Sequence, residues 1–167
     1  KRLLRKKKQL ESLYILLRDL VKKISTIKGT GHPIHICDFG SGSGNSCLVF
    51  AYLLLQNTDI PCRFTLIDNN PHSVALGKER TLTGLDVQWL CKDVAEFDEA
   101  FDIGLATHLC GGATDVMMER CLFQKAAFIA TPCCLGSIVF DTPQNTESCA
   151  KRGRGYGRNT DKRNSLT

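Results

Sequence analysis

Short apolar runs that end in polar residues alternate with helix-like segments from Pro33 to Cys134, and this alternation constrains the fold more than any other feature of the chain. PIHICDFG, RFTLIDNN, DVQWLCKD, FDIGLATH and AAFIATPCC are nearly continuous in apolar residues, as strands buried on both faces are. They are expected to end at Asp38, at Asp68, near Asp93, near His108 and at Cys133. Between them, NSCLVFAYLLLQN is apolar almost all round, PHSVALGKERTLTG opens with Pro71 in a first-turn position, and Ala113 to Phe123 turns Val116, Met117 and Cys121 inward. Parallel neighbours cannot be joined by tight hairpins. A strand-helix alternation of this kind therefore predicts an α/β fold, a parallel sheet with crossover helices.

Three regions follow from the same patterns. Leu10, Leu13, Leu17, Leu20, Val21 and Ile24 recur at helical spacing before Gly29-Thr30-Gly31, which predicts an amphipathic leading helix within residues 1–31. The sheet-forming domain occupies 32–140, and the polar, aperiodic stretch 141–167 is expected to be a disordered basic tail. Charge is divided in the same way. Of 22 Lys and Arg, six lie in residues 1–8 and six in 151–163, while the stretch between carries a formal −6. The net +5 thus belongs to the ends, where it suits solvated tails or an anionic partner. No apolar run reaches the ~18 residues of a membrane span, and KRLLRKKK is not followed by a signal-like apolar region. Nine cysteines, two of them adjacent, read as reduced thiols of a cytoplasmic protein, with Cys37, Cys47 and Cys62 in the core.

Ligands of open parallel sheets bind beyond the carboxyl ends of the strands, near the point where strand order reverses. That rule selects Asp38 to Gly44, Asp68, Cys91 to Asp93, Thr107 to Gly112, and Thr131 to Cys134. Gly40, Gly42 and Gly44 allow a sharp turn whose amides can approach a ligand, but a glycine loop alone is also an ordinary strand-to-helix turn. Asp68, 24 residues beyond Gly44, stands where an acid accepts from ribose hydroxyls. Both a dinucleotide such as NAD and S-adenosylmethionine fit this pair. The missing final spaced glycine of GxGxxG, and Asp38 just before the turn, disfavour a pyrophosphate and favour an ammonium, hence S-adenosylmethionine. Asp93 adds an acceptor for an adenine amino group.

These residues resemble the class I S-adenosylmethionine-dependent methyltransferases, in DFGSGSGNS, LIDNN and CKDV. More narrowly, THLCGGATDVMMERCL with IATPCCLG resembles the methyltransferase domain of the glutathione S-transferase C-terminal domain-containing proteins. HLCGGATD and the later Cys pair are also similar to tRNA ribose methyltransferases of the HLCGxATD type. The resemblance implies S-adenosylmethionine contacts at Asp38, Gly40, Gly42, Gly44, Asp68, Asp93 and, through its backbone, Val94. The resemblance implies a Rossmann-like parallel sheet, which in this family has seven strands. Here no sixth or seventh follows AAFIATPCC, so the sheet is expected to be truncated after its fifth strand.

Adjacent fourth and fifth strands would gather Thr107, His108, Cys110, Cys133 and Cys134 into a substrate pocket. Their H-x-C and C-C spacings lack zinc-hairpin geometry, so no metal is expected. His108 is the candidate general base for a hydroxyl acceptor, or simply caps the following turn. The expected activity is methyl transfer from S-adenosylmethionine, with RNA as a candidate acceptor and the RGRGYGR tail as a backbone-tracking segment. The alternative is a non-catalytic domain of the same fold serving as an interaction module.

Overall fold

The computed structural model of the chain describes residues 2–29 and 31–132. A long helix α1 (Arg2–Lys28) leads into β1 (Ile34–Phe39), α2 (Cys47–Asn57), β2 (Cys62–Asp68), α3 (Pro71–Arg80) and β3 (Val87–Cys91). A single 3-10 turn, Val94–Glu96, precedes β4 (Ile103–Ala106), α4 (Gly112–Gln124) and β5 (Ala127–Ala130). All four strand pairings are parallel, in the order β3-β2-β1-β4-β5. Strand order reverses between β1 and β4. This is the expected Rossmann-like sheet, and its switch point lies where Asp38 pairs in register with Leu105.

Strand alternation sorts side chains onto two buried faces. Ile34, Ile36, Phe64, Leu66, Trp89, Ile103 and Leu105 form one core with Leu13, Leu17 and Val21 of α1, Phe50 and Leu54 of α2, and Val74 of α3. Cys37, Phe39, Ile67 and Ala106 turn the other way, against Met117 and Cys121 of α4 and Phe97 and Phe101. Phe39, Phe97 and Phe101 pack ring on ring at centroid separations of 5.5 to 6.0 Å. Of the thiols expected in the core, Cys37 and Cys47 are fully buried, whereas Cys62 is half-buried at the margin.

α3 begins as expected at Pro71, with Asn70 as N-cap accepting from the amides of His72 and Ser73. Three strands are shorter than the sequence suggests, among them β3, which stops at Cys91 rather than near Asp93. β4 stops at Ala106 rather than near His108, and β5 stops at Ala130, not at Cys133. The last bond between them runs from the Thr131 amide to the Ala106 carbonyl at 2.8 Å. Pro132, which has no N–H, cannot extend the ladder. Cys133, Cys134 and the basic tail lie outside the described residues, as does the chain beyond them. No helix among the described residues is long and apolar enough to cross a membrane.

Candidate active site

The loop after β1 is tied down from the neighbouring strand. The amides of Gly40 and Ser41 both donate to the Ile67 carbonyl, at 2.9 and 3.0 Å, and the Gly44 amide closes a turn onto the Ser41 carbonyl at 3.0 Å. All three loop glycines have positive φ, between 56° and 72°, a conformation that other residues adopt only with strain. A Cβ on Gly40 would stand 2.7 Å from Leu109 Cδ1, so the loop after β4 rests directly on the glycine turn.

Asp68 is the latch of this arrangement. Its Oδ2 accepts from the Gly42 amide at 2.8 Å and its Oδ1 from the Asn70 amide at 2.9 Å. The sequence placed Asp68 at a strand end as a ribose acceptor. The structure adds that the carboxylate fixes the glycine loop and the start of α3 together. Arg80, from the last turn of α3, reinforces the same loop by donating to Asn45 Oδ1 at 2.7 Å and Ser43 Oγ at 3.3 Å.

Asp38 sits one residue before the end of β1 and is 1% exposed. Its Oδ1 has no hydrogen-bond partner. Burial pushes the carboxyl up to about 7; the Cys47 thiol, which hydrogen-bonds to it, opposes that shift, and the charge of Asp68 adds to it. The same burial, together with Asp38, drives the Cys47 thiol far above its usual range. A carboxyl held this way keeps its proton to a higher pH than an exposed one does.

Beyond β3, half-buried Asp93 caps the 3-10 turn by accepting from the Ala95 amide at 2.9 Å. The side chain of Val94 is buried among the aromatic rings, so only its backbone is available to a ligand. On the β4 side, Thr107 is buried and its carbonyl accepts from Thr131 Oγ1 at 3.2 Å. Thr114 Oγ1 donates to the Leu109 carbonyl at 2.7 Å, anchoring this loop on α4. Cys110 is half-buried in the same loop. Asp115 lies in the first turn of α4, where a carboxylate suits the helix dipole.

His108 is exposed and receives a hydrogen bond from a residue 102 positions away, Lys6 Nζ to Nε2 at 2.9 Å. Partial burial, then the Lys6 ammonium, lowers its pKa below the usual histidine value. Both effects favour the neutral imidazole over the imidazolium. Asp38, Gly40, Gly42, Gly44 and Asp68 thus converge on one side of the switch point, and Thr107, His108 and Cys110 on the other. Lys6 and Arg80 were missed by sequence reasoning, and Leu109 was selected only as part of the stretch Thr107 to Gly112. Lys6 lay in a run that reads as a solvated tail, and no local spacing links it to His108.

A family model described as a methyltransferase domain matches residues 5–139. The mouse glutathione S-transferase C-terminal domain-containing protein is 37% identical over 139 residues, covering 82% of this chain and 20% of that protein. The Drosophila melanogaster homologue is 33% identical over 141 residues, covering 82% and 21%. The chain thus spans about a fifth of the length of the curated relatives it matches. Among solved structures, magnesium protoporphyrin IX methyltransferase from Synechocystis superposes with a TM-score of 0.48 at 14% identity, covering 68% of this chain and 51% of that one. A plantazolicin methyltransferase gives 0.46 at 19% identity, covering 71% and 49%. With a family match over most of its length, and a relative 37% identical across 82% of it, this chain belongs to the methyltransferase-domain family.

Proposed function

We propose that the chain binds S-adenosylmethionine at the switch point between β1 and β4 and transfers its methyl group to an acceptor on the His108 side, RNA being the acceptor class. The observation that carries the cofactor is Asp38, a buried carboxyl with an oxygen that lacks a donor. An unsatisfied buried polar group costs ~1–3 kcal/mol, more when charged. The ammonium of a methionine moiety would supply both the missing donor and the compensating charge.

The remaining residues fit the same group. The oxygens of Asp68, each accepting one backbone amide, retain acceptor capacity for ribose hydroxyls. Asp93 and the backbone of Val94 would hold the adenine, and the loop of Gly40, Gly42 and Gly44 lets the backbone approach closely. S-adenosylmethionine, when bound, supplies a methyl group activated by a sulfonium. The protein's task is then to align the acceptor and exclude water, with Thr107 and Cys110 lining the acceptor side. Cys133 and Cys134 belong to that side in the sequence-based expectation. Neutral His108 would take the proton of an acceptor hydroxyl. RNA is supported by the likeness of HLCGGATD to tRNA ribose methyltransferases and by the basic residues at the chain ends.

Thermal melting tests the cofactor. S-adenosylmethionine and S-adenosylhomocysteine are expected to raise the Tm; a rise with NAD and none with these two sinks the proposal. Asp68→Ala should weaken donor binding by ~10–100-fold, and Asp68→Asn by less, since its amide oxygen still accepts one backbone bond. Unchanged affinity in both variants would put the site elsewhere. Labelled donor incubated with total RNA, and separately with total protein, tests the acceptor. Label is expected in RNA, and binding without transfer to either pool would leave a non-catalytic interaction module.

A further inference from the structure

α1 spans the sheet from edge to edge. At the amino edge, Lys28 Nζ bonds both carboxylate oxygens of Asp102, at 2.8 and 2.9 Å. At the carboxyl edge, Lys6 reaches His108. A helix of 27 residues is about 40 Å long, whereas a six-residue strand covers about 20 Å. The first turns therefore overhang the edge at which the candidate active site lies.

Those turns pack little against the core formed by the described residues. Core burial in α1 begins in earnest at Leu13, while Leu3 and Leu4 are 84% and 59% exposed. Nor does electrostatics favour them. Arg5, Lys6, Lys7 and Lys8 follow one another along α1. Cations spaced this closely on a helix repel one another. The ion pair of Lys7 with Glu11, at 3.7 Å between largely exposed side chains, offsets little of this. The stretch from Gln9 to Ala150 carries a formal −6, so this patch is a local concentration of positive charge and not a sample of a basic surface.

We infer that the first two turns of α1 form the acceptor-side wall of the site and bind the phosphodiester backbone of a single-stranded nucleic acid, with Lys6 passing from His108 to a phosphate as it does so. The inference rests on the methyltransferase proposal for its biological meaning, but the binding surface stands on its own geometry. Anionic oxygens relieve the crowding of Arg5 to Lys8. Transfer of Lys6 also uncovers Nε2 of His108, the nitrogen that would accept the acceptor's proton. A flat anionic surface such as a lipid bilayer is a poorer match, because Lys6 engages His108 in the loop that rests on the glycine turn.

The test uses the whole chain and a fluorescent oligouridylate, titrated by anisotropy across a salt series. The quantities compared are the affinities of wild type, a K6Q/K7Q/K8Q variant, and an R152Q/R154Q/R158Q variant of the basic tail. The α1 variant should lose at least ~10-fold in affinity, and its slope of log affinity against log salt should fall by about 2, three phosphate contacts at ~0.7 each. K6R/K7R/K8R should bind as wild type does. In wild type, the imidazole nitrogen resonances of His108 should shift on adding the oligomer. If the tail variant takes the whole loss, if the α1 variant binds normally, or if phosphatidylserine vesicles bind α1 and the oligomer does not, the inference is overturned. Donor binding is read separately by the S-adenosylmethionine Tm shift. A normal shift without oligomer binding fails this inference alone, and oligomer binding at α1 without a Tm shift fails the methyltransferase proposal alone.

Discussion

At the scale of single residues, Asp38 shows how a site can oppose the stability of its own fold. The folded carboxyl sits at about 7 against an ordinary 3.8. A carboxyl raised in this way contributes its full share of stability below about pH 4, where both states are protonated. That share is lost as the pH rises toward 7, because the unfolded chain gives up its proton first. Asp38→Asn removes the titration. The variant is expected to match wild type near pH 4 and to exceed it by at least ~1 kcal/mol above pH 7, while its affinity for S-adenosylmethionine falls. Melting curves across pH, paired with donor titrations, check both halves. Identical pH dependence in the two proteins would show that the carboxyl is not buried as described. Asp38, Asp68, Asp93 and the glycines were legible because each occupies the end of an apolar run. The loop-fixing bonds of Asp68 were not, since a carboxylate's partners depend on backbone amides brought together by folding.

At the scale of elements, the contact between α3 and β3 turns on one missing side chain. A Cβ on Gly77 would overlap the Trp89 ring, whose Nε1 is held by Thr81 Oγ1 at 2.9 Å. Gly77→Ala would ordinarily gain about 1 kcal/mol in helix propensity. Here the rigid, anchored indole has nowhere to move, and a net loss of ~1–3 kcal/mol is expected by chemical denaturation. A stabilised variant would show that α3 can shift away from the sheet. The identities of the helices and strands could be read from periodicity and Pro71, but the early ends of β3, β4 and β5 could not. A strand ends where its partner stops offering hydrogen bonds, and a single segment does not carry that information.

At the scale of the whole molecule, α1 belongs to the same core as the sheet. Leu17 is fully buried among side chains of that core. Leu17→Ala is expected to cost ~2–5 kcal/mol and to lower the Tm of the entire cooperative transition, as followed by calorimetry. A separate, low-temperature melting of α1 alone would contradict this. The sequence by itself determined the α/β class, the parallel sheet and the gathering of polar residues at one edge. Each of these follows from local periodicity and from the impossibility of joining parallel strands by short turns. Only the tertiary structure decided that Asp38 keeps an unpaired oxygen, that Asp68 locks the glycine loop, and that Lys6 meets His108 across 102 residues. Those relations are set by where the packed helices and strands end in space, and residues far apart in the chain carry no mutual signal until packing brings them within hydrogen-bonding reach.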